Sequence, residues 1–342
     1  MTALPRNEAG DVQFVTPPGF TLWPPVEQWT ELHWSCWLSQ HGWTPEQVAH
    51  YLDHDRFHYG VGFTASGERA YPHNAYELGV KWLYKPTPKG ITLHATRDSN
   101  TVTNILWGGS AGGTKSMSGR WEIIAGCLFT SRDDFRAIIT RRELEELRRT
   151  HLDDIATEAR RINEALGDKN AIKVTSQPPC ASFERTKAKI IFGHCQNLGD
   201  EEKYLSDDYD IYHGDEASQM LWPQIVGIQG RVRNDTKINR IGRMMLTTNP
   251  GGPSHDELVR YFIKKDITRA ENRKYKPEQY QFIQAALYDN PFYMDADGTF
   301  ETYETRLWMY GESRRKQLLD GDWSAMVGQF FPTFAPAVHC LQ

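Results

Sequence analysis

The 342-residue chain is 39% apolar, 24% charged and 12% aromatic, with a formal net charge of -5. That is the make-up of a soluble globular protein with room for two domains, or one large domain and an appendage, and it carries no global electrostatic signature of nucleic-acid binding. Runs of about 18 apolar residues and a signal-peptide pattern are absent from the sequence, so neither a membrane nor export is expected. The five cysteines (Cys36, Cys127, Cys180, Cys195, Cys340) have no CxxC or Cys/His ligand spacing and read as reduced cytosolic thiols without structural zinc.

Residues 1–20, rich in Pro and Gly, read as a flexible or loosely docked arm. Residues 21–83 are dense in Trp, Tyr and His. Trp23, Trp29, Trp34, Trp37, Trp43 and Trp82 either build a core or partner interface, or stack on bases. "TPEQVAHYL" (44–52) opens with a Thr–x–x–Gln capping box and predicts a helix. The two-proline loop "YKPTPKG" (84–90) ends this region, and a boundary falls near residue 80, leaving 1–80 as an N-terminal extension.

Beyond it, short apolar runs alternate with helical patterns. "TNILWGG", "FRAIITR", "AKIIFGH", "YDIYHGDE" and "RMMLTTN" predict strands. "KSMSGRWEIIAGCLFT" predicts a helix, and so does "ELEELRRTHLDDIATEARRINEAL", with Leu144, Leu147, Leu152, Ile155 and Ala156 as its apolar stripe. The alternation predicts an α/β domain with a mostly parallel sheet flanked by helices.

The first strand runs into Gly108, Gly109, Ser110, Ala111, Gly112 and Gly113, then Thr114, Lys115 and Ser116, then a helix. Strand, glycine-rich loop, Lys-Ser and helix form the context a phosphate-binding loop requires. Glycines let backbone N–H groups curl round phosphate oxygens, and the helix adds the positive end of its dipole. Lys115 is the cation for the β- and γ-phosphates, and the Ser116 hydroxyl a ligand for Mg²⁺. Thr114 stands where the usual pattern has glycine; a positive φ there would strain a β-branched residue by about 1–3 kcal/mol.

Two further strand ends fit the same chemistry. "YDIYHGDEASQM" (209–220) ends in adjacent carboxylates, Asp215 to hold Mg²⁺ and Glu216 to polarise an attacking water. "RMMLTTNPGG" ends in Thr247, Thr248 and Asn249, polar groups placed to sense the γ-phosphate. Loop, Asp-Glu and Thr-Thr-Asn, in this order and each at a strand end, predict a P-loop ATPase using ATP and Mg²⁺. Arg141, Arg142, Arg231 and Arg233 are candidates for a cation supplied by a neighbouring subunit, worth on the order of 10³–10⁵-fold. The sequence does not choose among them.

With these residues in place, the chain over roughly 84–336 resembles the large terminase subunit of tailed bacteriophages, the ATP-driven motor that packages DNA into a procapsid. Gly108 to Ser116 resembles the family's phosphate loop, and "YDIYHGDEASQM" its Asp-Glu-Ala strand end. "IITRRELEEL" is similar to the strand and arginines that follow that loop. "GRVR" (230–233) with "TTNPGGPSHDELVRYFI" resembles the coupling segment. "LYDNPF" (287–292) and "KQLLDGDWSAMVGQFF" (316–331) are the most specific matches, because generic P-loop enzymes do not carry them. "YKPTPKG" resembles the adenine-side segment, which makes Tyr84 and Pro86 base-side candidates, although Gly90 stands where the family has glutamine.

The resemblance implies a RecA/ASCE-like P-loop NTPase core (81–263), a helical C-terminal subdomain or lid (264–325) and the start of a linker (326–342). The RNase H-like nuclease domain that follows in the family is expected to be missing from this chain. Implied partners are double-stranded DNA, a portal protein, a small terminase subunit and further copies in a ring, with a monomer in isolation and the cytoplasm of an infected bacterium as the setting. Other readings are another P-loop translocase or helicase, and a nucleotide-dependent assembly module with weak turnover. His194 beside Cys195 lacks a second ligand pair for a metal site, and Asp320 and Asp322 read as part of a Gly-Asp-Trp turn.

Overall fold

In the computed structural model, which describes residues 3–110, 112, 114–234 and 241–324, the apolar runs become the parallel strands of one large sheet. A small antiparallel pair, β1 (Val61–Phe63) and β2 (Lys81–Tyr84), precedes it. The sheet is built from β3 (Asn104–Gly109), β4 (Arg136–Arg141), β5 (Ile172–Ser176), β6 (Pro179–Phe183), β7 (Lys189–His194), β8 (Ile211–Asp215), β9 (Arg243–Thr248) and β10 (Tyr280–Ala285). Its order is β10-β3-β9-β8-β4-β7-β6-β5. Pairing is parallel from β10 through β7, and the β5–β6 hairpin closes one edge antiparallel.

Both faces of the parallel strands are covered, which is why they read as continuous apolar runs. In β3, Ile105 and Trp107 enter one core and Leu106 the other. The first core is completed by Trp121, Ile123 and Ile124 of the helix Lys115–Phe129 and by Ile155 and Ile162 of the helix Asp153–Leu166. Arg120 joins these two helices through a bidentate pair with Glu158 at 2.9 and 3.0 Å, both side chains buried. The second core holds Ile225, Ile228, Leu258 and Phe262 from helical segments on the opposite face. The result is the α/β fold with a helix-flanked, mostly parallel sheet that the sequence pattern predicts. Among the described residues no helix is long and apolar enough to cross a membrane.

Three local expectations are corrected, and one element was not foreseen. The stretch 144–166 is helical throughout but passes through a π turn at Arg148–Leu152. The turn shifts the helix phase, so Ala156 is exposed while Ala159 and Ile162 are buried. The region 264–325 is not wholly helical, because β10 pairs in register with β3. The β5–β6 hairpin was not foreseen.

Finally, the N-terminal arm is firmly docked rather than loose. Phe14 N–H donates to the Gly298 carbonyl at 2.9 Å, and Trp23 Nε1–H to the Phe14 carbonyl at 2.9 Å. Val12, Phe14, Trp23, Trp29, Trp34 and Trp37 form a third core with Leu287 and Phe300. Of the alternatives for the tryptophans, the structure therefore selects the core for these four; Trp43 packs at the margin of that core. Trp82 is half-buried, its indole N–H donating to the Ala75 carbonyl at 3.0 Å. The linker reading of 326–342, and Cys340, lie outside the described residues.

Candidate functional site

Parallel strands present their carboxyl ends at one edge of the sheet, where a ligand crevice forms. At that edge β9 lies between β3 and β8, so the turn after β3, the Asp-Glu after β8 and the Thr-Thr-Asn of β9 meet.

The loop after β3 depends on its glycines. A Cβ on Gly109 (φ +142) would lie 2.1 Å from the Ala285 carbonyl oxygen of β10, and one on Gly112 (φ +81) 2.3 Å from the Tyr293 ring. Ala111 and Gly113 lie outside the described residues. Thr114 takes the left-handed conformation the sequence raised as a concern, with φ 57 and ψ 11. A β-branched residue is disfavoured there by steric clash with its own backbone. Thr114→Gly is therefore expected to raise stability by about 1 kcal/mol, the strain relieved less the entropy glycine adds to the unfolded chain. A shift of roughly 1–3 °C in the melting midpoint checks this, and an unchanged or lower midpoint counts against the strain.

Lys115 opens the helix Lys115–Phe129 with its side chain buried and its Nζ donating to the Ser110 carbonyl. Burial pushes the ammonium down to about 8, against the opposing pull of Glu216 and Asp215. The next residue, Ser116, donates its Oγ–H to Asp215 Oδ1 at 2.7 Å.

Asp215 is the hub of the site. Oδ1 also accepts from Thr247 Oγ1 at 2.6 Å, while Oδ2 accepts from Arg141 Nε at 2.8 Å and faces His151 Nε2 at 2.9 Å. Burial alone would raise this carboxyl. The His151 hydrogen bond, with the charges of His151 and Arg141, holds it well below the usual carboxylate range. Thr247 in turn contacts His213 Nε2 at 2.8 Å, and burial pushes that imidazole down to about 3, so it is neutral. The π turn at Arg148–Leu152 is what brings His151 here, and Arg141 Nη1 donates to Thr150 Oγ1 at 3.1 Å in the same turn.

Glu216 follows in a left-handed conformation (φ 52), and its side chain lines the crevice. Its nearest cation is Arg141, with Nη2 at 3.5 Å. Burial and the neighbouring Asp215 charge raise its pKa. Two carboxyls next to each other in sequence are thus driven in opposite directions, the arrangement that separates a permanently ionised ligand from a proton acceptor.

The crevice has a volume of about 480 Å³ and is lined by Gly112, Thr114, Lys115, Ser116, Met117, Glu216, Asn249, Asn290, Phe292 and Tyr293. Among the described residues, the buried Oδ1 of Asn249 has no hydrogen-bond partner. Thr248 Oγ1 donates to Ser218 Oγ at 2.7 Å, which ties β9 to the turn after β8. Ser116 and Asp215 offer paired hard oxygens at a helix N-terminus, a donor set that suits Mg²⁺, which keeps most of its waters and takes one or two protein oxygens.

The base-side candidates sit elsewhere. Tyr84 is buried, stacked on Trp121 with centroids 5.0 Å apart, its hydroxyl 2.8 Å from His94 Nε2. Pro86 is buried and its carbonyl accepts from Tyr51 Oη at 3.0 Å. Neither is among the residues lining the crevice; the segment reaches the loop through Thr87 Oγ1, 3.5 Å from Thr114 Oγ1. Instead Phe292 and Tyr293 present aromatic rings there, and Asn290 Nδ2 donates to the Gly112 carbonyl. The motif "LYDNPF" carried no place at the loop by pattern alone; Phe292 and Tyr293, directly after Asn290-Pro291, were the available signal.

Among the arginine candidates, Arg141 is engaged within its own chain. Arg142 is half-exposed near Glu143. Arg231 and Arg233 pair with Asp208 at 2.8 and 2.9 Å, at the amino end of β8 and so across the sheet from the crevice. Asp322 Oδ1 accepts from Ser324 N at 2.7 Å, in keeping with a turn.

No protein-family model matches the sequence, and no curated protein matches it. Solved structures do match its fold. The large terminase from a thermophilic bacteriophage superposes with a TM-score of 0.51 at 13% identity, over 70% of this chain and 54% of that one. The large terminase ATPase domain of Thermus phage P74-26 does so with a TM-score of 0.50 at 14% identity, over 70% of this chain and 94% of that domain. The match thus spans about half the length of the first protein and nearly all of the Thermus phage domain. At this level of identity the likeness is one of fold.

Proposed function

We propose that this chain is the ATP-hydrolysing motor portion of a large terminase, using Mg²⁺–ATP to drive double-stranded DNA into a procapsid. The observation that carries the reading is the convergence of Lys115, Ser116, Glu216 and Asn249 on one crevice, with Asp215 bonded directly behind it. In this reading the glycine loop and the Lys115 ammonium bind the phosphate tail. Ser116 and Asp215 hold Mg²⁺, which when bound neutralises charge that builds on the phosphates. Glu216 accepts the proton of the attacking water. Asn249, whose Oδ1 has no hydrogen-bond partner among the described residues, senses the γ-phosphate, and its movement reaches the helical segments through Thr247, Thr248 and Ser218. Phe292 and Tyr293 take the base in place of Tyr84.

The resemblance extends the proposal to a ring of copies, a portal protein and a small terminase subunit, in the cytoplasm of an infected bacterium. Grip on DNA by its phosphates would be sequence-independent and weaken steeply with salt.

The direct test is ATP affinity, measured calorimetrically against pH, with phosphate release followed with and without DNA. The charged form of Lys115 is the one that binds phosphate, and in the free protein it is lost above about pH 8. Affinity is expected to be flat below that pH and to fall toward tenfold per unit above it. Lys115→Ala is expected to bind weakly at every pH, without that slope. Wild-type affinity in Lys115→Ala would remove the phosphate site. Nucleotide binding without any phosphate release would favour an assembly module.

A further inference from the structure

We infer a divalent transition-metal site, suited to Zn²⁺, formed by His50, His54 and Asp55 on the outer face of the N-terminal helical segment. The segment runs as α-helix over Pro45–His50, a π turn over Tyr51–Asp55 and α-helix again over Arg56–His58. In a regular α-helix, residues five apart point roughly 140° away from each other, so Asp55 could not share a site with His50. The π turn, with its hydrogen bonds between residues five apart, narrows that offset. His50 Nε2 lies 3.2 Å and His54 Nδ1 2.9 Å from the same oxygen, Asp55 Oδ1. One ligand atom from each residue falls within 4.8 Å of the others.

Tetrahedral Zn²⁺ with bonds of about 2.0–2.2 Å places its ligand atoms roughly 3.3–3.5 Å apart, so small side-chain rotations close the set. The rings are already aligned. His54 stacks on His50 at 4.9 Å and on His58 at 5.0 Å, with interplanar angles of 16° and 15°. On the inner face, Tyr51 and Leu52 are buried in the aromatic core, which fixes the helix. The side chains of His50 and His54 are 64% and 45% exposed, so an ion reaches the site from solvent and a fourth position stays open to water or a partner's ligand. Two imidazoles and a carboxylate favour Zn²⁺ over the oxygen-seeking Mg²⁺ of the crevice. Among the described residues no other group of three such side chains comes this close.

The test is calorimetric titration of the whole chain with Zn²⁺ after chelator treatment, under reducing conditions, with millimolar Mg²⁺ present. One binding event is expected, with Kd on the order of 1–10 µM, weaker than a closed four-ligand site. His50→Ala and His54→Ala are expected to weaken it at least about tenfold, and His58→Ala to leave it unchanged. Both ligand positions are largely exposed, so these variants keep the fold, which an unchanged melting midpoint without metal verifies. Absence of a micromolar event overturns the inference, as does an event that survives in the His50→Ala/His54→Ala pair, since the ion would then sit on cysteines or other histidines.

Discussion

Glu216→Gln is expected to bind ATP as the wild type does and to lose steady hydrolysis by about 10²–10⁴-fold, the range that removal of a positioned general base produces. The substitution keeps the side chain's size and leaves the four contacts of Asp215 with Ser116, Thr247, Arg141 and His151 in place. It therefore spares the glycine-rich loop while removing a carboxylate that lines the crevice without direct hydrogen bonding to Asp215. Stability should hold or rise slightly. Burial and Asp215 raise the Glu216 pKa, so its ionised form is disfavoured in the folded state. That penalty is absent at acid pH, where the group is protonated folded and unfolded, and appears as pH climbs through the carboxylate range. The neutral amide escapes it, so the gain belongs near pH 7. Single-turnover and steady-state phosphate release, with nucleotide affinity measured alongside, separate the outcomes. Turnover within a few-fold of wild type would remove Glu216 from the chemistry; lost affinity would mean that the variant disturbed the loop.

What the sequence disclosed, and what it withheld, follows from how local each feature is. β3, β4, β7, β8 and β9 were legible because a strand buried on both faces must be apolar nearly throughout. The glycine-rich turn between β3 and the helix Lys115–Phe129 was legible because its glycines, Lys115 and Ser116 are contiguous. β10 was not, since its two glutamines, Gln281 and Gln284, break the apolar run of an edge strand. The docking of the N-terminal arm rests on isolated residues, Val12 and Phe14, with no period to reveal them. Tyr84 was assigned to the base by its place in a motif, whereas the buried chain from Tyr84 through His94 to Glu122 (2.8 and 2.7 Å) gives its hydroxyl a structural partner. His151 reaches Asp215, and Asp55 reaches the partners of His50, only through π turns, and a pattern with a period of 3.6 cannot register an inserted residue. The contact between Arg141 and Asp215 joins the ends of two strands, β4 and β8, 74 residues apart, and belongs to the sheet order.

That last contact leads to the second large effect, Arg141→Met. The guanidinium contacts Asp215, Glu216 and Thr150 at once, at 2.8, 3.5 and 3.1 Å, with its side chain 10% exposed and that of Asp215 2%. Methionine preserves much of the bulk and removes the charge. Breaking a buried pair from one side leaves the other charge uncompensated, which costs about 3–5 kcal/mol. The loss has a pH signature. The depressed Asp215 contributes stability above its unfolded pKa, and that contribution disappears as pH falls through the folded value. With Arg141 gone, the folded pKa moves up and the acid limb of the stability curve moves to higher pH. Chemical denaturation across about pH 3–7 reads both effects. The same variant separates an in-chain anchor from a cation lent to a neighbour. Mixed with Glu216→Gln subunits, a donor acting across subunits would let the intact arginine of one copy restore turnover at the intact Glu216 of the next. An anchor for Asp215 within its own chain predicts no recovery at any mixing ratio. Recovery, together with wild-type stability of Arg141→Met, would transfer Arg141 to the subunit interface; its absence leaves that role to Arg142, Arg231 and Arg233.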